Sequence, residues 1–166
     1  MLHWADYLFW IYFYLGWYGI VLLGQRQDTL MSLLLPIPAL LYLLWQKKLA
    51  AGIYLRAGFL AIVGILFDSF SNSVGWTSFL PEALSPKMPV WLFSLWFLYL
   101  CYIPMLAKIF EKRLFLAFVA GALFGPLSYL SGAHFQLFRF SETSSIFIYS
   151  VFWGIHLFAT ARFIWK

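Results

Sequence analysis

The chain has 166 residues, of which 64% are hydrophobic and 10% charged, against about 45–50% and about 25% in a soluble domain. That apolar excess is more than one globular core could bury, which excludes a soluble enzyme or binding module and makes lipid the solvent for most of the surface. The net charge is +5, yet the basic residues sit between apolar segments and form no stripe, which excludes nucleic acid as a partner and points to the positive-inside effect.

The N-terminal residues Met1 to Asp6 carry no Lys or Arg, and the first basic residue is Arg26. A secretory signal needs a basic region before its apolar core, so the first apolar segment is expected to stay as a helix. Six spans follow in order: Tyr7 to Gly24, Leu30 to Trp45, Leu49 to Ser69, Pro89 to Ala107, Leu114 to Ser131 and Ile146 to Ile164. Each has roughly the length that a hydrocarbon core of about 30 Å requires at about 1.5 Å per residue. Pro36 and Pro38 should bend the second span, Pro104 lies near the end of the fourth, and Gly125-Pro126 should interrupt the fifth. The expected fold is an all-α polytopic bundle of about six transmembrane helices, with residues 1–166 as a single domain.

Charges orient the bundle. One end holds Lys47, Lys48, Arg56, Lys108, Lys112, Arg113, Arg162 and Lys166; the other holds Arg26, Lys87 and Arg139 beside Asp28, Asp68, Glu82 and Glu142. The basic end is expected in the cytoplasm, with both termini. Trp4, Trp45, Trp76, Trp91 and Trp165 fall near span ends, as an aromatic belt does. Two longer loops, Phe70 to Met88 and Gly132 to Ser145, mix aromatic and polar residues and suit the headgroup layer at the outer side.

Two spans carry stripes of small residues: Ala57, Ala61 and Gly64 leading to Asp68 in the third, and Ala117, Gly121, Gly125, Ser128 and Gly132, with Pro126, in the fifth. Small faces let helix backbones approach closely in lipid, so these two helices are expected to pack on each other. That packing would bring Asp68 beside Ser128 and Tyr129 in an outer-leaflet cleft. Plain helix packing is the commoner explanation of such stripes.

Asp68 is the most informative acid. A carboxylate at membrane depth is expensive and is paired or functional, and the C-terminal end of its helix disfavours it. The hydroxyls of Ser69, Ser128 and Tyr129, or a cation such as His134 or Arg139, could compensate it. Asp68 is a candidate acid/base group with Ser128 and Tyr129 as partners. Arg26, His134 and Arg139 share the outer side and could hold a lipid phosphate, although scattered surface cations are the commoner arrangement. His156 lies mid-span, where a hydrogen-bonded core role is commoner than metal ligation, and Cys101 is a lone apolar-segment thiol.

Absences narrow the chemistry. Three histidines are too few for a desaturase-type iron centre. The sequence has no His-Glu-x-x-His, no Gly-x-Ser-x-Gly, no phosphate-cradling glycine loop and no cysteine pair. No metal and no cofactor is expected.

Three segments occur in a telling order: Gly64-Ile-Leu-Phe-Asp68-Ser69, Pro89-Val-Trp91 running to Trp96, and Gly121 to Gly132 with Gly125-Pro126-Leu127-Ser128-Tyr129. Together they resemble the bacterial inner-membrane family called domain of unknown function 2878, over most of the chain from about residue 10. Gly-Pro-Leu-Ser-Tyr is the most specific piece. Where many members carry a Thr-Leu-Asn-type patch after the tryptophans, Tyr99-Leu100-Cys101-Tyr102 stands here. The resemblance implies a multi-pass protein of the bacterial inner membrane and, through an association with lipid-modifying enzymes, tilts the reading towards lipids.

Three functions compete. The first is a lipid-associated protein that binds or modifies a phospholipid or fatty-acyl group near Asp68, Ser128 and Tyr129. The second is a small transporter or channel, for which Arg56, Cys101, Tyr102 and His156 are the few inner polar residues. The third is a structural or assembly subunit that pairs as a homodimer, or with another membrane protein, through a small-residue face.

Overall fold

The computed structural model describes residues 4–45, 50–80 and 88–166. Lys47, Lys48, Glu82 and Lys87, together with the side chain of Trp4, lie outside the described residues.

The chain opens with α1 (Trp4–Gln25), which ends where Gln27 turns through a positive φ of 56°. Asp28 then caps α2 (Thr29–Leu34), its side chain accepting the Met31 N–H at 3.0 Å. The expected bend at Pro36 and Pro38 is a full break, and the helix resumes as α3 (Ile37–Trp45). Two prolines remove two amide donors within one turn, and the Tyr12 hydroxyl donates to the Leu35 carbonyl at the break.

Next come α4 (Ala51–Ser73), strand β1 (Thr77–Phe79), α5 (Val90–Phe110), α6 (Leu114–His134), strand β2 (Phe138–Phe140) and α7 (Thr143–Phe163). Five of these helices, α1, α4, α5, α6 and α7, are long and apolar enough to cross a membrane, and Thr29–Trp45 is a shorter apolar stretch. The outward faces are apolar: Phe115 is 81% and Leu55 75% exposed, so these faces need hydrocarbon around them. The molecule is a multi-pass helical membrane protein.

The interior is built around α5. It packs against α1, α2, α4 and α7, while α6 lies along α7. Tyr102 shows why α5 is central: it is fully buried, stacks on Phe9 with ring centroids 4.0 Å apart, and donates its hydroxyl to the Phe9 carbonyl.

Three features differ from the sequence expectation. The two longer loops contain strands that pair antiparallel, with Thr77 opposite Phe140, Ser78 opposite Arg139 and Phe79 opposite Phe138. This ribbon closes one end of the bundle. Secondly, α6 runs unbroken through Gly125-Pro126. Pro126 withdraws the donor that the Ala122 carbonyl would take, and one lost bond is tolerated in a helix packed along its length against α7; the Ser128 hydroxyl donates to the Gly125 carbonyl at 2.6 Å.

Thirdly, the small-residue faces of α4 and α6 do not pack along one another. Each receives an indole from a third helix instead. A Cβ on Gly64 would overlap the Trp96 ring from α5. Cβ atoms on Gly121 and Gly125 would overlap the backbone and ring of Trp153 from α7. Ala57, Ala61, Ala117, Gly132 and Pro126 are buried beside them. Trp96 and Trp153 stack at 5.3 Å and 7°, so two bulky rings occupy the space that the missing side chains leave.

Candidate functional site

Asp68 sits on the inward face of α4, five residues before the helix ends at Ser73, and is fully buried. Three other helices converge on its carboxyl group. From α5, Trp96 Nε1 donates to Oδ2 at 2.7 Å. From α6, the Tyr129 hydroxyl lies 2.8 Å from Oδ2 and 3.0 Å from Oδ1. From α7, the Tyr149 hydroxyl donates to Oδ1 at 3.1 Å. Among the described residues no cation touches the group. Neutral N–H and O–H dipoles alone balance it, which leaves few of its roughly four acceptor positions open.

A second layer holds these donors. The Tyr149 hydroxyl is 3.4 Å from Thr77 Oγ1 on β1, and Thr77 is 3.0 Å from Ser71 Oγ on α4. Tyr129 packs edge-on against Phe138 of β2 at 5.0 Å and against Tyr149 at 4.7 Å. The ribbon is therefore tied into the carboxylate cluster by a hydroxyl chain and by aromatic contacts.

Beside this cluster lies a cavity of about 510 Å³ between α1 and α6, with α5 as its floor. Trp10, Phe13 and Trp17 form one wall, and Gly121, Gly125 and Gly132 the other. Along α5 it reaches from Trp91 to Phe110, a length of about 28 Å at about 1.5 Å per residue. Its lining is graded. Tyr18, Ser128, Tyr129 and Ser131 lie towards the ribbon end, whereas Leu106, Phe110, Ala120 and Leu157 line the opposite end.

Of the sequence candidates, Asp68 and Tyr129 are brought into contact, but Ser128 bonds back into its own helix and lines the cavity. Asp68 does not line the cavity; the rings of Tyr129 and Trp96 stand between them. Arg26, His134 and Arg139 are all exposed at the ribbon end. Gln25 donates to the Phe135 carbonyl, which ties the end of α1, next to Arg26, to the end of α6, next to His134. Arg139 points outward from β2, opposite Ser78.

Sequence reasoning missed Trp96 and Tyr149 as carboxylate donors and Trp153 as the partner of the small-residue face. A signal existed for the two indoles: both tryptophans sit mid-span, away from the interfacial belt where tryptophan is usual.

The model of the family described as protein of unknown function (DUF2878) matches residues 7–159. The chain belongs to that family. In this chain the Asp-Ser segment, the stretch from Pro89 to Trp96 and the Gly-Pro-Leu-Ser-Tyr segment supply Asp68, Trp96 and Tyr129 to one hydrogen-bonded cluster. No curated protein and no solved structure matches the chain.

Proposed function

We propose that the protein binds an amphiphilic membrane lipid, with an acyl chain laid in the groove between α1 and α6. The observation that carries this reading is the graded lining. Tyr18, Ser128, Tyr129 and Ser131 gather at the ribbon end, Tyr14 and Tyr99 stand mid-groove, and Leu106, Phe110, Ala120 and Leu157 line the other end, the profile of an amphiphile lying along the membrane normal. The volume falls within the range of about 300–1,000 Å³ usual for small-molecule sites. Arg26 and His134 at the mouth suit a phosphate or carboxylate headgroup, where Arg binds bidentately.

On this reading the basic end, with Arg56, Lys108, Lys112, Arg113, Arg162 and Lys166, faces the cytoplasm, and the ribbon faces outward. The bacterial inner membrane is the setting that the family resemblance favours. Asp68 is a positioning residue that fixes Trp96 and Tyr129, two rings of the groove wall. A modifying enzyme would use Asp68 through Tyr129, which touches both the carboxylate and the groove.

The test fills the groove. Ala120→Phe blocks its apolar end and Ser131→Trp its mouth. Protein extracted in mild detergent should lose co-purifying phospholipid in both variants at unchanged folded yield. Unchanged lipid content in both would overturn the reading.

A further inference from the structure

A second group of polar atoms lies outside the carboxylate cluster, on the basic side of the Trp96–Trp153 pair. His156 of α7 is 97% buried by its 3% exposure, and its Nε2 lies 3.0 Å from the Leu60 carbonyl of α4. A carbonyl only accepts, so Nε2 carries the proton and Nδ1 is left as an acceptor. Imidazole nitrogens point in well-separated directions, so a ring anchored on α4 through Nε2 turns Nδ1 away from α4. Nδ1 is buried and has no partner.

Two hydroxyls near it are also buried and unpartnered. Thr160 is one turn further along α7 and fully enclosed. Tyr99 of α5 packs its ring on His156 at 5.8 Å, and its buried hydroxyl, like that of Thr160, has no hydrogen-bond partner. Three unpartnered polar atoms in one apolar interior are costly, because each one left unmade forfeits its hydration. One oxygen that donates to Nδ1 and accepts from both Tyr99 and Thr160 would satisfy them together.

We infer that Tyr99, His156 and Thr160 form a second binding site, in the half of the bundle nearer the basic end, for a single hydroxyl group. Two sources supply that chemistry: a water molecule, or a hydroxyl carried on a lipid chain in the groove. The second source is open because Tyr99 and Trp153 line the groove as well as flanking His156. The lipid source rests on the groove reading above; the water source does not.

The test uses full-length protein in detergent with ¹⁵N-labelled histidine and with His3→Gln and His134→Gln, so that one imidazole reports. Nδ1 should show the resonance of a nitrogen accepting a hydrogen bond. It should keep that resonance in Thr160→Ser and move to the position of a free acceptor in Tyr99→Phe with Thr160→Val. The Nε2–H signal of the Leu60 bond should persist in every variant, which separates loss of the site from loss of the fold. A free Nδ1 in the parent, or an Nδ1 bond that survives removal of both hydroxyls, overturns the site.

Quenching of tryptophan fluorescence by stearate and by 12-hydroxystearate then identifies the source. A three- to tenfold preference for the hydroxylated chain, about what one net hydrogen bond supplies, that disappears in Tyr99→Phe with Thr160→Val assigns it to lipid. Equal binding of both acids beside a hydrogen-bonded Nδ1 assigns it to water. Binding of neither acid removes the groove reading and leaves the nitrogen resonance to decide this site.

Discussion

Gly64 and Trp96 share one volume: the indole of Trp96 lies where a side chain on Gly64 would stand, and from there its N–H reaches Asp68 at 2.7 Å. Packing and polar satisfaction are thus one arrangement. The glycine admits the ring, and the ring delivers the donor to a carboxylate that, among the described residues, no cation touches.

Gly64→Ala should therefore disturb more than packing. Overfilling a close-packed interior costs about 1–3 kcal/mol, and displacing Trp96 also withdraws a donor from Asp68. The melting temperature in detergent should fall, with a larger fall than for Gly58→Ala, because a Cβ on Gly58 meets open space. Equal effects at the two glycines would contradict the shared-volume account.

The carboxylate cluster should respond in a graded way. Asp68→Asn keeps one acceptor oxygen, so part of the donor set stays paired, whereas Asp68→Ala strands Trp96, Tyr129 and Tyr149 together. Membrane hydrogen bonds average about 0.6 kcal/mol each and reach about 1.7. The Ala variant should lose about 2 kcal/mol or more and the Asn variant clearly less, as read from thermal unfolding monitored by near-ultraviolet circular dichroism. Reversal of that order would show that the donors do not depend on Asp68.

Much of this was legible in the sequence, for identifiable reasons. Hydropathy placed the spans because lipid demands long apolar helices, and the cost of a carboxylate at depth singled out Asp68 and led to Tyr129. What stayed hidden follows from the same physics. In lipid both faces of a helix are apolar, so the pattern cannot say that Gly125 meets Trp153 rather than α4, or that α1 and α6 leave a groove between them. Thr77–Phe79 and Phe138–Phe140 are too short to show a strand period. Pro126 looked like a break because sequence alone did not show α6 packed along α7, which holds the helix through one lost bond.

The ribbon should depend on the hydroxyl chain beneath it. Thr77→Val keeps the shape of the side chain and removes its contacts with Ser71 and Tyr149. Amide exchange at Leu80 and Ser141, whose N–H groups bond across the ribbon to the Leu137 and Trp76 carbonyls, should accelerate severalfold while exchange in the middle of α5 is unchanged. Uniform acceleration along the chain would mean that Thr77 supports the whole bundle instead of the ribbon.

Headgroup binding at the groove mouth should be electrostatic in part. Arg26→Gln should weaken retention of phosphatidylglycerol by about three- to tenfold while retention of a neutral lipid changes little, and added salt should narrow the difference. Native mass spectrometry of lipid-exchanged protein measures both. An equal loss for both lipids would point to a damaged groove rather than a lost charge.

The most direct measurement of the central claim is photo-crosslinking with a phospholipid carrying a diazirine along its acyl chain, in reconstituted bilayers. A chain seated in the groove predicts labelling concentrated on the inner faces of α1 and α6, at residues such as Phe13, Trp17, Gly121 and Ser128, and suppressed by Ala120→Phe. Labelling confined to the outward faces, at Leu55, Phe59 and Phe147, and indifferent to that substitution, would contradict it.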